Sequence, residues 1–311
     1  MKKIEKIDFY SNEVMSVYNL NDNIRYQLKI LDSLDPFTRK HSENVGILSG
    51  RICEKLNMDE GFTIYCTICG FLHDIGKVFI PPSILQKKGK LTDEEYETMK
   101  THTLIGYKMC HNDLNLRPYE AGPLYHHEAL DGTGYPQGLI GNEIVYEGQI
   151  IRVADEFDAI SSVRQYKTHI GTLDTLKILI ENTRPTKNSK RKGIFSRKVG
   201  KNDKEIVRAL IKVIIEDVEM EIYRREEYIE YMQKEKNRYK LAMKYYSKYE
   251  MEKDEETKKY LAGYIEQYLV KNEDPNNVPE YLKDVEYTLE KRKQLLKDLK
   301  KEYKQIKRLR V

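Results

Sequence analysis

The stretch from Phe62 to Ile75 constrains this chain most. Phe62, Ile64, Tyr65, Ile68, Phe71, Leu72 and Ile75 leave almost no polar face, so a helix here must be covered on every side. His73 and Asp74 stand at its end, and an apolar setting tolerates such a pair only when it is neutralised, partnered or metal-bound. Gly76 supplies the expected stop. Other helical patterns surround this one. Val45, Leu48, Ile52 and Leu56 mark an amphipathic helix over 41–56, and Thr92 with Glu95 makes a capping box. Residues 101–110 also read as helical, and a Gly/Pro-rich loop at 131–141 precedes a helix carrying Val153, Ala154, Phe157 and Ile160. No run alternates well enough to predict a strand, so the expected fold is all-α.

Composition sets the outer limits. The hydrophobic fraction is 40% and the charged fraction 33%, against typical values of about 45–50% and about 25%. That balance excludes an integral membrane protein and one large thick-cored globule, and predicts a globular part plus a charge-rich helical part. Neither a signal peptide after Met1-Lys2-Lys3 nor an apolar run of about 18 residues is legible, so a cytoplasmic protein without a membrane contact is expected. Cys53, Cys66, Cys69 and Cys110 are too few for a disulfide framework. The net charge of +4 does not by itself imply nucleic acid.

Three regions follow: a helical lead at 1–34, a globular helical domain at 35–222, and a helical, coiled-coil-like tail at 223–311. The domain includes a loop at 186–204 with eight basic residues against Asp203 alone. In the tail, Val278, Leu282, Val285, Leu289, Leu296, Leu299, Tyr303 and Ile306 step by heptads, interrupted at Arg292. Such a seam predicts an intrachain hairpin, a homodimer or a docked protein partner. Residues 291–311 carry ten basic side chains against Asp298 and Glu302. We read that stripe as a solvated face, pairing with Glu216, Asp217, Glu219 and Glu221, rather than as a nucleic-acid grip, because no nucleic-acid motif accompanies it.

Six of the seven histidines lie in the first 127 residues. His41, His73, His102, His126 and His127, with Asp74 and Asp155, offer imidazole and carboxylate without thiolate, a donor set suited to Fe, Mn, Ni or Zn. Two metals sharing a carboxylate would suit displacement at phosphorus. A single buried His beside an Asp is more often a satisfied core pair, but seven candidates on helices that must pack together point to a metallohydrolase. Cys66 and Cys69 form a lone CxxC inside the apolar helix and read as small core residues.

Motifs sharpen this. His73-Asp74-Ile75-Gly76-Lys77, Pro81-Pro82-Ser83-Ile84-Leu85, Lys88-Gly89-Lys90-Leu91-Thr92, His126-His127-Glu128 through Gly134-Tyr135-Pro136, and Val153-Ala154-Asp155-Glu156-Phe157-Asp158-Ala159 resemble the HD-GYP family of HD-superfamily phosphodiesterases. The resemblance covers roughly residues 35–215. It implies an HD-type all-α domain hydrolysing cyclic di-GMP to linear pGpG, with onward hydrolysis to GMP left open, by attack of a metal-bridged hydroxide. It implies His41, His73, Asp74, His102, His126, His127 and Asp155 as metal ligands, with Asp74 bridging. Lys77 would stabilise phosphoryl charge, Tyr135 would face substrate, and Arg164 and Lys167 match substrate-contacting basic positions, with a structural ion pair as the alternative for Arg164. Phe37 stands where trinuclear members carry Glu, so two divalent ions, Fe or Mn, are expected. Glu128 and Asp131 are expected to hold imidazoles by their outer N–H groups, and His111 and His169 to lie at the surface. Asn44 replaces an Arg found in many members. Two alternatives stay open: the mixed cyclic GMP–AMP dinucleotide as substrate, and a regulatory binding module signalling through the tail.

Overall fold

The computed structural model describes residues 26, 29–30, 36–161, 170–185, 199–270 and 273–311. Nearly all of the 1–34 lead, residues 186–198 of the basic loop, and Arg164, Lys167 and His169 lie outside them. Among the described residues the fold is all-α, and the one backbone bridge joins Asp131 to Ile140. No described helix is long and apolar enough to cross a membrane. The chain forms two units, divided between Ile214 and Ile215.

The first unit is built on helices α1 (Pro36–Lys55), α2 (Glu60–Leu72) and α7 (Tyr146–Ser161), which pack against one another. Between them run α3 (Pro82–Leu85), α4 (Asp93–Lys100), α5 (His102–Asn112) and α6 (Ala121–Tyr125), and α8 (Thr172–Glu181) follows. Asp59 starts α2 by accepting from the Phe62 amide at 2.9 Å. Its second half, Cys66 to Leu72, is wholly buried, as a helix without a polar face requires. Ile68, Phe71, Leu72, Ile75, Cys110 and Leu116 form one core cluster. Each of the large aliphatic side chains there contributes about 1.5–3 kcal/mol by leaving water.

The expected end of this helix needs correction. It stops at Leu72, and Ile75–Phe79 form a 3-10 turn. The His73 ring turns back to the Gly70 carbonyl at 2.7 Å, a group that further helix would have used. Gly76 is therefore no helix stop. A Cβ there would lie 2.0 Å from the His102 carbonyl oxygen and 2.6 Å from the Gly106 nitrogen, so the glycine lets the turn touch the α5 backbone. The capping box at α4 forms as expected, with Thr92 and Glu95 each accepting the other's amide. All four cysteines are buried and free.

The second unit, Ile215–Arg308, contains the later part of α9 (Lys204–Met251), then α10 (Glu255–Glu266) and α11 (Val278–Ile306). Asp274 caps a 3-10 turn at Pro275–Asn277. Within the unit, α9 and α11 run antiparallel. Lys236 meets Glu286 at 2.9 Å, Glu226 meets Lys300 at 2.6 Å, and Glu219 accepts from Tyr303. The heptad seam thus forms inside one chain, with Val278, Leu289 and Ile306 buried and Leu282, Val285, Leu296 and Leu299 half-buried.

Candidate metal centre

The seven side chains predicted as ligands converge from five places in the fold. His41 projects from α1, His73 and Asp74 follow α2, His102 opens α5, His126 and His127 follow α6, and Asp155 sits on α7. The two oxygens of Asp74 face opposite ways. One carboxylate oxygen, Oδ2, lies 3.3 Å from His73 Nε2 and 3.6 Å from His41 Nε2. The other, Oδ1, lies 3.4 Å from His102 Nε2 and 3.8 Å from His126 Nε2. Asp155 closes the first group, 3.0 Å from His41 Nε2, and approaches His127 Nδ1 at 3.9 Å. The site therefore has two lobes, His41–His73–Asp155 and His102–His126–His127, with Asp74 between them.

Backbone carbonyls decide what these rings can do. The Nδ1 of His73 faces the Gly70 carbonyl, that of His102 the Met99 carbonyl at 2.7 Å, and that of His126 the Gly122 and Pro123 carbonyls at 3.0 Å. A carbonyl only accepts, so each Nδ1 carries the proton and each neutral ring turns a lone pair inward from Nε2. The inward Nε2 atoms of His102 and His126 stand 3.2 Å apart. Among the described residues, buried His73 Nε2 and Asp74 Oδ1 have no hydrogen-bond partner. Acceptors aimed at acceptors in a buried site call for a cation, and imidazole with carboxylate is a fitting donor set for a divalent one.

Electrostatics agree. Burial pushes His102 down to about 4 and His127 to about 3, and holds His126 well below the ordinary 6.5, so all three rings are unprotonated at neutral pH. At His41 burial also opposes charge, but hydrogen bonds to Asp155 and Asp158 carry its pKa up to about 9. Burial works against charge on Asp74 and Asp155 as well. The His73 ring and the Lys77 ammonium beside Asp74, and the hydrogen bond from His41 to Asp155, nevertheless keep both carboxyls well below their usual range. Lys77 donates to Asp74 Oδ2.

Two expectations about supporting carboxylates fail. Glu128 accepts from the amides of Gln137, Gly138 and Leu139 at 2.6, 3.1 and 2.9 Å, which shapes the loop after Pro136. Asp131 accepts from the Thr133 amide and hydroxyl. The supporting carboxylate that sequence reasoning missed is Asp158, whose Oδ2 lies 2.7 Å from His41 Nδ1 and whose Oδ1 accepts from Asn44 at 2.8 Å. Its spacing three residues after Asp155, on the same helical face, was the available signal. Asn44 donates its bond to Asp158 from an uncharged amide.

Tyr135 stacks on the His127 ring, with centroids 4.6 Å apart and planes at 27°. Its loop folds tightly at Gly134, where a Cβ would lie 2.3 Å from the Ala129 nitrogen. Phe37 is exposed, and His111 is an exposed residue paired with Glu120 at 2.8 Å.

Comparison with known proteins agrees with this geometry. The profile of the HD domain matches residues 25–187. The chain is 42% identical over 172 residues to the cyclic di-GMP phosphodiesterase of Thermotoga maritima, covering 53% of this chain and 46% of that protein. It is 39% identical to the cyclic di-GMP phosphodiesterase response regulator RpfG of Xanthomonas campestris, over 45% of this chain and 37% of that one. It is 36% identical to 3'3'-cGAMP-specific phosphodiesterase 3 of Vibrio cholerae, over 50% of this chain and 34% of that one. The chain thus spans less than half the length of these relatives.

Proposed function

The chain belongs to the HD-domain family, and from that premise we propose that it is a metal-dependent phosphodiesterase hydrolysing cyclic di-GMP to linear pGpG. The observation that carries this reading is the set of inward lone pairs around Asp74, fixed by backbone carbonyls. His41, His73 and Asp155 would hold one divalent ion, His102, His126 and His127 the other, with Asp74 shared between them and Fe or Mn the occupants. When bound, such a pair supplies an activated water and polarises the phosphoryl oxygens. Residues 35–222 form the catalytic part on this reading, and 223–311 a helical tail available to a protein partner.

The chain's own groups perform the remaining work. Burial keeps His102, His126 and His127 unprotonated, so they remain donors to a cation rather than to a proton. Lys77, held at Asp74, places a positive charge where a phosphoryl oxygen gathers negative charge in the transition state. Tyr135, stacked on His127, offers its ring to substrate beside the centre. Arg164 and Lys167, by their place in the motif, supply cations for a dianionic dinucleotide.

The test uses anaerobically purified protein loaded with Mn or Fe, incubated with cyclic di-GMP and, in parallel, the mixed GMP–AMP dinucleotide. A relative specific for 3'3'-cGAMP makes the second substrate a necessary arm. Linear pGpG formed by wild type and lost in Asp74→Ala is the expected result. Cleavage of the mixed dinucleotide alone would reassign the substrate. Metal bound without turnover of either would leave the regulatory binding module.

A further inference from the structure

We infer that Tyr96 and Lys100 of α4 form, with Tyr135, a subsite for the part of a cyclic dinucleotide that is not being cut, Tyr96 stacking a purine and Lys100 facing the second phosphate. This rests on the phosphodiesterase reading. A cyclic dinucleotide carries two phosphates and two bases. When one phosphate sits at the metal centre, the other half of the ring must be held elsewhere or left to water.

The structure places one row of groups beside the centre. His127 carries Tyr135 in a stacked contact, and Tyr96 meets Tyr135 edge to face at 6.4 Å and 80°. The row runs from a buried imidazole site to a ring that is 48% exposed. An exposed tyrosine alone means little, but this one ends a chain of ring contacts that begins at a candidate ligand. Lys100 lies one helical turn after Tyr96, on the same face of α4. Its Nζ sits 5.3 Å from the Tyr96 centroid and 5.7 Å from that of Tyr135, within cation–π range of both.

Two further contacts bear on availability. Lys100 pairs with Glu97 at 2.6 Å, but Glu97 is 69% exposed, and a surface pair of this kind is weak enough for a phosphate to replace. The start of α4 is pinned by the Thr92–Glu95 capping box and by Lys87 at Glu95, so Tyr96 and Lys100 stand on a fixed scaffold. An aromatic face with a cation over it is the recognition chemistry of a nucleobase joined to a phosphate.

The experiment compares wild type, Tyr96→Ala, Tyr96→Phe and Lys100→Met as metal-loaded full-length proteins. Each is assayed on cyclic di-GMP and on bis(p-nitrophenyl) phosphate, a diester with no purine and no second phosphate. Equilibrium binding of the bisphosphorothioate analogue of cyclic di-GMP is measured beside them. In Tyr96→Ala the ratio of kcat/KM on cyclic di-GMP to that on the small diester falls about tenfold, through KM, as loss of base stacking requires. Analogue binding weakens in parallel, and Tyr96→Phe restores both. Lys100→Met lowers the same ratio and flattens the dependence of binding on salt. Equal losses on both diesters would make the two residues structural supports and overturn the subsite. Unchanged binding would also overturn it while leaving the activity standing. Wild type that neither binds the analogue nor cleaves a cyclic dinucleotide removes the activity reading, and the subsite with it.

Discussion

At the residue scale, chemistry was legible where residue type carries it and hidden where backbone does. Histidines and aspartates at motif spacing pointed to His41, His73, Asp74, His102, His126, His127 and Asp155, and the fold brings all seven together. What orients the rings could not be read, because the partners of His73, His102 and His126 are carbonyls of Gly70, Met99, Gly122 and Pro123, and any residue has a carbonyl. Glu128 and Asp131 were misread because a carboxylate beside a histidine pair serves an imidazole or a loop amide equally well on paper. The carboxylate that does support a ring, Asp158, makes a prediction. Asp158→Asn leaves a partner at His41 Nδ1 without a full negative charge, and metal affinity should fall about 10–100-fold. Competition with a fluorescent chelator measures it, with circular dichroism to show unchanged helix content. Unaltered affinity would remove Asp158 from the support of His41.

The same side chains set a pH profile for the metal-free protein. His102 and His127 have folded pKa values of about 4 and about 3, below their ordinary 6.5, and His126 is also depressed. Below pH 6.5 the unfolded chain therefore binds protons that the folded one refuses, and stability falls with acid. His41 is the opposite case, raised from 6.5 to about 9, so its contribution is full below 6.5 and lost as pH rises through 9. Asp74 and Asp155, depressed below 3.8, contribute at every pH above that value and lose their contribution only in stronger acid. Thermal unfolding of EDTA-treated protein should show its highest Tm near pH 6.5, falling on both sides. A Tm that climbs steadily from pH 7 into acid would contradict this assignment.

At the element scale, periodicity located the helices and misplaced one end. The apolar run continues through Ile75, so hydrophobicity alone carries the helix past Leu72, where it stops. A glycine after that run looks like an ordinary stop, whereas its function is to let the Ile75–Phe79 turn reach α5, the element that presents His102. Gly76→Ala should consequently disturb packing and site together. The added methyl meets backbone atoms of His102 and Gly106, which cannot swing aside as a flexible side chain would. A loss of about 1–3 kcal/mol is expected from such overpacking, with weaker metal binding, since His102 shifts with its carbonyl. Denaturant unfolding and metal analysis on one preparation read both effects. Lost stability with full metal binding would mean that α5 moves without displacing the His102 ring.

At the scale of the whole molecule, the tail's sequence announced a seam without naming its partner. Heptads state that Val278, Leu289 and Ile306 must be covered, and an intrachain helix or a second copy satisfies them equally. The structure covers all three within the chain. Charge follows the same antiparallel register: Glu219 takes Tyr303 and Lys307, Glu226 takes Lys300, and Glu286 takes Lys236. Part of the basic stripe is thus neutralised by the chain's own acidic residues, in line with a solvated helical face. A seam already filled gives a second copy little apolar surface to gain. Light scattering of this 311-residue chain should therefore give the mass of one copy, 36.8 kDa. Leu289→Ala should destabilise the second unit by about 2–5 kcal/mol without altering that mass. A mass near twice this value, reduced by the Leu289→Ala substitution, would show instead that the seam is completed between copies and that the hairpin opens to do so.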